Sequence, residues 1–465
     1  MKNALRQFRI FWQNIHCIKS FNGAAPVLLR HLTVIRRKDM KREDTLYRMY
    51  LRILKEELMP AMGCTEPIAI AYAAARARAL LQQDVQSVQI AVSGNIIKNV
   101  KSVIVPNTGG LKGIAAAAAA GIIAGRAEKV LEVISEVNEQ QKRQILSFLQ
   151  SIPVKIRAAD GEDQLEIDVE LCSENHRARV RITGSHTNIV YMEKDGQVLH
   201  RSGDGISAAN PELTDRSLLC VEKIVEFADC VNPEDVRPVL ERQITCNWAI
   251  AEEGIRHPYG ACVGRTILRQ DPDTLKTKAK AYAAAGSDAR MSGCELPVII
   301  NSGSGNQGIT ASVPVIVYAR AAGVSQEKLY RALVVSNLIA IHQKTGIGRL
   351  SAYCGAVSAG CGAGCGIAYL EGACYRGVAH TLVNALAIVS GIVCDGAKPS
   401  CAGKIAAAVD AGIFGWQMFQ EGRQFYGGDG IISKGVENTI RNVGRLGRVG
   451  MKETDKEIIR IMTDC

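Results

Sequence analysis

The sequence predicts an α+β fold: an α/β portion with an antiparallel meander, followed by an α-rich, glycine-rich domain. Two observations predict it. Five short alternating segments lie between residues 154 and 201, separated by turn signals at 159–161 and 194–196, as is typical of antiparallel strands. From about Leu213 the pattern becomes helical and is broken by glycine-rich loops. We therefore expect one domain over residues 40–212 and a second over 213–465.

The elements before the meander follow from hydrophobic spacing. An amphipathic helix is expected from Thr45 to Met59, and Pro60 ends it. A loop over 61–67 then leads into an alanine-rich helix from Ile68 to Leu81. The further expected elements are strands over 85–92 and 101–105, a buried helix over 112–126, meander strands over 154–158, 165–172, 177–183, 188–193 and 197–201, and an apolar strand over 296–300.

The positive charge of the chain is concentrated at its beginning. The formal net charge is +10, but residues 1–38 hold eight Lys and Arg and no acid, which leaves 48 basic against 46 acidic residues elsewhere. The nearly neutral charge of the rest of the chain therefore gives no support for binding nucleic acid. We interpret residues 1–39 as a basic leader outside the fold, with organelle targeting or membrane-surface attachment as the alternative.

Composition also excludes a membrane span and a disulfide scaffold. The longest apolar stretch, residues 114–125, is alanine-dominated and too short to cross a bilayer. The 15 cysteines are scattered, odd in number and not preceded by a secretion signal, so we expect reduced thiols and a cytoplasmic protein.

Glycine-flanked cysteines are the strongest sequence signal for chemistry. No GxGxxG, GxxxxGK[ST] or HExxH motif is present, so common dinucleotide, nucleoside triphosphate and zinc-protease sites have no support. The segment from Tyr353 to Gly366 interleaves cysteines with glycines, and a second cysteine-bearing segment runs from Val393 to Cys401. Close glycines favour a bound iron–sulfur cluster or zinc, while tight packing of small-residue helices is the alternative.

These cysteine segments resemble the α domain of iron–sulfur L-serine dehydratases, and more closely the related L-cysteine desulfidases and serine dehydratase-like proteins. Further blocks of the same resemblance stand in the same order, so that it covers roughly residues 42–464. These blocks are Gly63-Cys-Thr-Glu-Pro67, Pro106-Asn-Thr-Gly-Gly110, Gly184-Ser-His-Thr-Asn188 and Ser302-Gly-Ser-Gly-Asn-Gln-Gly308.

The resemblance implies a [4Fe–4S] cluster held by Cys354, Cys394 and Cys401, with one iron open to substrate. Cys361 is the alternative first ligand, because Cys354 to Cys394 and Cys361 to Cys401 have the same separation. The resemblance implies that residues 40–212 form the substrate-side domain and that residues 213–465 form the iron–sulfur catalytic domain.

Cys64 is the candidate catalytic base. It stands just before a predicted helix, where the helix dipole is expected to lower the pKa of a thiol. Glu66, two residues further on, is the alternative base. The family resemblance favours Cys64.

Three loops supply the candidate substrate-binding residues. Asn107 and Thr108 precede a predicted helix whose backbone N–H groups are suited to a carboxylate. The polar run between two strands adds side-chain donors and resembles a substrate loop of serine dehydratases. The glycine-rich loop after the strand at 296–300 adds further donors. They contribute Ser185, His186, Thr187 and Asn306.

The resulting hypothesis is an L-cysteine desulfidase that converts L-cysteine and water to hydrogen sulfide, ammonia and pyruvate without pyridoxal phosphate. L-serine dehydratase by the same mechanism is the alternative enzyme, and a non-catalytic iron–sulfur sensor is the alternative of a different class. We expect a small amino-acid substrate and neither nucleic acid nor membrane as a partner, and we leave homo-oligomerisation open.

Overall fold

The computed structural model describes residues 40–161, 163–202 and 213–463. The predicted leader, residues 1–39, lies outside the described residues. Within them, strands and short helices come first and a helical bundle follows, which confirms the α+β class. None of the described helices is both long enough and apolar enough to cross a bilayer.

The strands are β1 Pro60–Met62, β2 Ser87–Val92, β3 Val154–Ala158, β4 Glu166–Cys172, β5 Arg177–Thr183, β6 Ile189–Lys194, β7 Gln197–Arg201 and β8 Pro297–Ile299. The helices of the first part are α1 Thr45–Glu57, α2 Thr65–Leu81, α3 Gly94–Val100, α4 Gly113–Ala124 and α5 Glu139–Ser151. Those of the second part are α6 Val221–Cys230, α7 Pro233–Arg256, α8 Val263–Gln270, α9 Leu275–Met291, α10 Gly305–Ala321, α11 Gln326–Ile347, α12 Gly355–Leu370, α13 Tyr375–Val389, α14 Cys401–Gln420, α15 Val436–Arg445 and α16 Lys452–Thr463.

The main sheet has the order β3-β2-β4-β5-β6-β7. The expected antiparallel meander is correct from β4 to β7 but wrong at its first step, because β2 lies between β3 and β4 and runs parallel to β3. Burial gives the reason. The side chains of β2 are mostly buried, which suits a central strand, whereas those of β3 are mostly exposed, which suits an edge.

Two local expectations in the first part are also corrected. Residues 101–105 do not form a strand, and only Ile104 makes an isolated bridge, to Lys112. Residues 94–100 form α3 instead, a helix that was missed because Gly94 and Asn95 are weak helix formers. The helix expected from Ile68 begins three residues earlier, at Thr65.

Glycines bring the central helices of the bundle into backbone contact. A Cβ on Gly364 of α12 would lie 2.3 Å from the carbonyl oxygen of Gly412 in α14. On the opposite side, a Cβ on Gly362 would lie 2.6 Å from the carbonyl oxygen of Ser336 in α11. The glycines around Cys361 therefore allow close helix packing, which is the alternative explanation to close approach of a cofactor.

The two parts of the chain are joined by a two-stranded sheet. β1 pairs antiparallel with β8, and the pairing is extended by the Ile300 N–H, which donates to the Met59 carbonyl at 2.8 Å. This pairing sets the loop after β1 beside the loop after β8. Thr65 Oγ1 donates to the carbonyl of Gly303 at 2.8 Å across the two loops.

Candidate active site

One cavity of about 100 Å³ lies where loops from both parts of the chain meet the ends of helices. Cys64 and Cys354 are the residues just before α2 and α12, and Cys401 is the first residue of α14. Helix N-termini carry partial positive charge, so their convergence favours an anionic ligand. Six predicted site residues line the cavity: Cys64, His186, Asn306, Cys354, Cys394 and Cys401.

Asn107 and Thr108 are not among the lining residues, and their side chains bond to the backbone. Asn107 Nδ2 donates to the carbonyl of Ile134 at 2.8 Å, and Thr108 Oγ1 donates to that of Val105 at 2.7 Å. Pro106 beside them packs closely on the residue before Cys64, because a Cβ on Gly63 would lie 2.4 Å from the Pro106 ring. In this structure the loop supports the Cys64 loop from behind.

Ser185 and Thr187 flank His186 in the loop between β5 and β6. Both are half-buried and neither lines the cavity, whereas His186 is buried and does. The His186 ring packs on the backbone of Gly303, where a Cβ would lie 3.2 Å from its Cε1 atom. The loop is closed by the Asn188 N–H, which donates to the carbonyl of Ser185 at 3.2 Å.

The three predicted cluster ligands come together through a backbone bridge and a short loop. Residues 352–354 and 392–394 form this bridge, in which the Cys354 N–H donates to the Ile392 carbonyl at 3.1 Å and the Cys394 N–H to the Ala352 carbonyl at 2.6 Å. The side chains of Cys354 and Cys394 interact directly with each other. Cys401 closes the loop, and its Sγ donates to the Gly396 carbonyl at 3.7 Å.

Cys361, the alternative ligand, lies in the interior of α12. It is fully buried and does not line the cavity, and burial raises the pKa of its thiol. Cys354, in contrast, lies at the start of the same helix and faces the cavity. The described geometry therefore favours Cys354 over Cys361 for the ligand role.

Buried lysines surround the cysteine group with positive charge. Lys98 is buried, donates through Nζ to the Cys394 carbonyl at 3.3 Å and pairs with Asp455. Lys344 is also buried, and desolvation lowers its pKa to about 8, although nearby Cys394 and Cys354 oppose the shift. Interaction with the Cys354 side chain, together with the charge of Lys98, lowers the pKa of Cys394. The same interaction, together with burial, raises the pKa of Cys354.

The donor set fits an iron–sulfur cluster. Three convergent thiols supply the ligands such clusters use, and buried cations stabilise the negative charge of thiolates. No group of three or more His, Cys, Asp or Glu among residues 40–161, 163–202 and 213–463 is arranged to hold a metal ion. That finding concerns a single ion, whose ligands must all meet at one centre, whereas in a [4Fe–4S] cluster each cysteine binds a different iron.

Cys64 and Glu66 form a hydrogen-bonded pair in the same cavity. The thiol Sγ donates to Glu66 Oε2 at 3.0 Å, and both side chains are buried. Asn99 Nδ2 donates to Glu66 Oε1 at 3.1 Å, and His186 Nε2 lies 3.9 Å from that same oxygen. Asn99 therefore holds one oxygen of the carboxylate, the other oxygen accepts from the thiol, and His186 lies nearby.

The expected lowering of the Cys64 pKa is wrong. Burial and then the charge of Glu66 raise the pKa of this thiol well above its ordinary value, despite its place at a helix N-terminus. Burial alone would also raise the pKa of Glu66, but His186 and the thiol lower it to about 2. In this structure the proton therefore resides on sulfur and the carboxylate is ionised.

Sequence reasoning missed several polar residues of this cavity. Arg290 stands in the helical stretch 283–291, otherwise made mostly of small residues, and Lys98 follows two isoleucines. A charge amid small or apolar neighbours indicates a buried, partnered group, a signal that was available for both. Among the missed residues are Asn95, Lys98, Asn99, Arg290 and Gln307.

Comparison with known proteins adds a family to this geometry. The family described as serine dehydratase alpha chain matches residues 128–460, a span that includes the three clustered cysteines but not Cys64. A UPF0597 protein of Desulfitobacterium hafniense is 62% identical over 91% of this chain and 98% of its own length. Those of Lachnoclostridium phytofermentans and Treponema denticola are 49% and 45% identical, over 90% and 91% of this chain and 100% and 99% of theirs.

Proposed function

This chain belongs to the serine dehydratase alpha chain family, and from that premise we propose that it is an iron–sulfur L-cysteine desulfidase. The reaction is L-cysteine plus water to hydrogen sulfide, ammonia and pyruvate. The observation that carries this proposal is the convergence of the Cys354, Cys394 and Cys401 thiols with the Cys64–Glu66 pair in one cavity. We further propose a cytoplasmic location, where such thiols stay reduced.

Proteins of this family depend on iron–sulfur clusters. Cys354, Cys394 and Cys401 would hold a [4Fe–4S] cluster, and a bound cluster with an open iron supplies a Lewis acid for the leaving sulfur. Lys98 and Lys344 stabilise the negative charge of the thiolates, because both are buried beside Cys394.

The Cys64–Glu66 pair carries out the proton transfers. The thiol proton passes from Sγ to Glu66 Oε2 along their hydrogen bond, an uphill transfer because the pKa of the thiol is raised and that of Glu66 is lowered. The resulting thiolate takes the Cα proton of the substrate. The Cα–H electrons form the Cα–Cβ double bond as the Cβ–S bond breaks, and Glu66 returns its proton to the departing sulfide. The enamine product tautomerises to an imine, and water hydrolyses it to pyruvate and ammonia.

His186 and Asn99 position the base without taking part in the transfer. Asn99 fixes one oxygen of Glu66 by its hydrogen bond, and His186 favours the ionised carboxylate through its proximity. The burial of this group excludes bulk water from the site of proton abstraction.

Serine dehydration is the second candidate, favoured by the family description that matches residues 128–460. Loss of hydroxide from L-serine uses the same residues, so the leaving group alone separates the two reactions. The block Gly63-Cys-Thr-Glu-Pro67, which resembles the desulfidases and lines the cavity with Cys64 and Glu66, supports the thiol substrate.

The deciding experiment compares the two amino acids on anaerobically prepared protein with its cluster bound. Pyruvate is measured with both substrates and sulfide with L-cysteine, over a range of concentrations. We expect kcat/KM for L-cysteine to exceed that for L-serine. The reverse order would identify a serine dehydratase, and a bound cluster without turnover of either substrate would favour the sensor.

A further inference from the structure

We propose that Arg290 is the receptor for the α-carboxylate of the substrate and that the amides of Asn95 and Gln307 receive its ammonium group. The inference rests on the proposed function, which supplies the identity of the reaction. It adds to that function by assigning the carboxylate and ammonium groups of an α-amino acid to particular residues.

Arg290 is a buried cation whose charge is not neutralised by the described residues. It lies at the end of α9 and is only 2% exposed. Its Nη1 atom donates to Asn306 Oδ1 at 3.2 Å, but Nε and Nη2 have no hydrogen-bond partner among the described residues. A guanidinium in such a place is strongly disfavoured unless an anion joins it, and a carboxylate matches its two adjacent N–H groups.

The guanidinium lies against the N-terminus of α10, which adds to the positive potential. A Cβ on Gly305, the first residue of that helix, would lie 2.3 Å from Arg290 Nε. The helix has no side-chain cap, so its first-turn N–H groups are not satisfied in that way. Two positive groups that meet inside the protein repel each other, and a bound carboxylate removes that cost.

Arg290 also lies in the right place for chemistry. It lines the same cavity as Cys64, and its charge favours the thiolate form of that residue. In an α-amino acid the carboxylate is attached directly to the carbon that loses its proton. Binding of the carboxylate at Arg290 therefore keeps that carbon close to the Cys64–Glu66 pair.

Two unpartnered acceptors complete the match to a zwitterion. Asn95 Oδ1 and Gln307 Oε1 are buried, line the cavity and have no hydrogen-bond partner among the described residues. Gly355 leaves room for the Gln307 amide, since a Cβ there would lie 2.6 Å from it. An ammonium group is a donor only, so it suits two amide oxygens.

The test measures binding separately from turnover. L-alanine carries the same head group but has no leaving group, and L-alaninamide replaces its carboxylate by a neutral amide. Calorimetric titration of the cluster-bound protein with each compound is performed on the wild type, Arg290→Gln, Arg290→Lys and the control Arg256→Gln. Arg256 is an exposed arginine on α7 that pairs with Glu252, so its loss changes the net charge equally.

We expect the wild type to prefer L-alanine to L-alaninamide and Arg290→Gln to weaken L-alanine binding by about 10- to 100-fold, the usual effect of losing hydrogen bonds to a charged group. Arg290→Lys should fall between, and alaninamide affinity should change little. Arg256→Gln should bind as the wild type does.

Unchanged L-alanine affinity in Arg290→Gln with an intact cluster spectrum would overturn the assignment. If neither variant folds, equal affinity of the wild type for alanine and alaninamide would overturn it as well. These titrations need no turnover, so their outcome does not depend on whether the proposed reaction occurs. A protein that binds L-alanine through Arg290 but releases no sulfide refutes only the desulfidase activity.

Discussion

Cys64 shows how a single residue's surroundings can reverse an expectation drawn from its position. A helix N-terminus favours a thiolate, but complete burial and a carboxylate 3.0 Å away favour the thiol more strongly. We therefore propose that the base is the pair, in which Glu66 takes the proton that Cys64 must lose. Neither residue is sufficient alone.

This pairing predicts that Cys64→Ser and Glu66→Gln lose the same activity. Each should retain the cluster spectrum and lower kcat about 10²- to 10⁴-fold, as expected for loss of a general base. The double variant should be little slower than either single variant, because the two residues act as a unit. Steady-state sulfide release measures all three.

Cys294→Ser is the matched control, since Cys294 is also a buried thiol but does not line the cavity. Wild-type turnover by Cys64→Ser would contradict the role of the thiol. Loss of iron in that variant would instead make Cys64 a cluster ligand.

The proposed cluster ligands give a second prediction at this scale. Cys354→Ala, Cys394→Ala and Cys401→Ala should each lose most of about four irons per chain, because each cysteine holds a different iron. Cys361→Ala should keep its iron, since Cys361 lies outside the cavity. Iron analysis and visible absorption after anaerobic purification are the measurements, and iron retained by all three ligand variants would refute the assignment.

At the scale of the element, the small residues of α12 and α14 allow two helix backbones to touch. A Cβ on Gly360 would lie 2.5 Å from the Ala408 carbonyl carbon, and one on Gly364 would meet Gly412. This contact fixes the start of α12, and with it Cys354, relative to Cys401 at the start of α14. Close helix packing therefore sets the spacing of two proposed ligands.

Gly364→Ala should destabilise the protein by about 1–3 kcal/mol, the usual cost of overpacking a core. Gly403→Ala is the matched control, because Gly403 lies on the exposed surface of α14 and an added methyl group there would have no neighbour within 4 Å. That change should stabilise the helix by about 0.5–1 kcal/mol. Denaturant unfolding measures both changes. Equal stability of the two variants would show that the helices can separate at no cost.

At the scale of the whole molecule, the site depends on contact between distant parts of the chain. The β1–β8 pairing places the Cys64 loop beside the loop that leads into α10, whose second residue is Asn306. The predicted division near residue 212 remains a prediction, but β1 and α1 of the first part pack on the second part. Tyr47 of α1 donates to Asp235 at 2.7 Å, for example.

A chain that begins at Met40 should fold and keep full activity. The Met40 backbone nitrogen lies 3.1 Å from Glu226 Oε1, so a new terminal ammonium would pair with that carboxylate. A pair of this kind changes stability by about 0–1 kcal/mol. Thermal unfolding and kcat of the shortened chain, with Glu226→Gln as control, are the measurements, and loss of folding or activity would show that residues 1–39 belong to the enzyme.

The sequence by itself determined the α+β class, the strands from β4 to β7 and the order of the blocks that carry the site. Alternating residues specify strands locally, and glycine-flanked cysteines mark a region of unusual packing or chemistry. It also identified six residues that line the cavity. These features depend on spacing along the chain, which needs no tertiary contact to be read.

Only the tertiary structure decided how those residues meet. The parallel pairing of β2 with β3, the hydrogen bond of Asn107 to the Ile134 carbonyl, the raised pKa of Cys64 and the buried charge of Arg290 all depend on contacts between residues far apart in sequence. Burial and electrostatic interaction act through space, so a local pattern cannot report them. The sequence therefore predicts which side chains bear the chemistry, and the packing decides their charge, partners and roles.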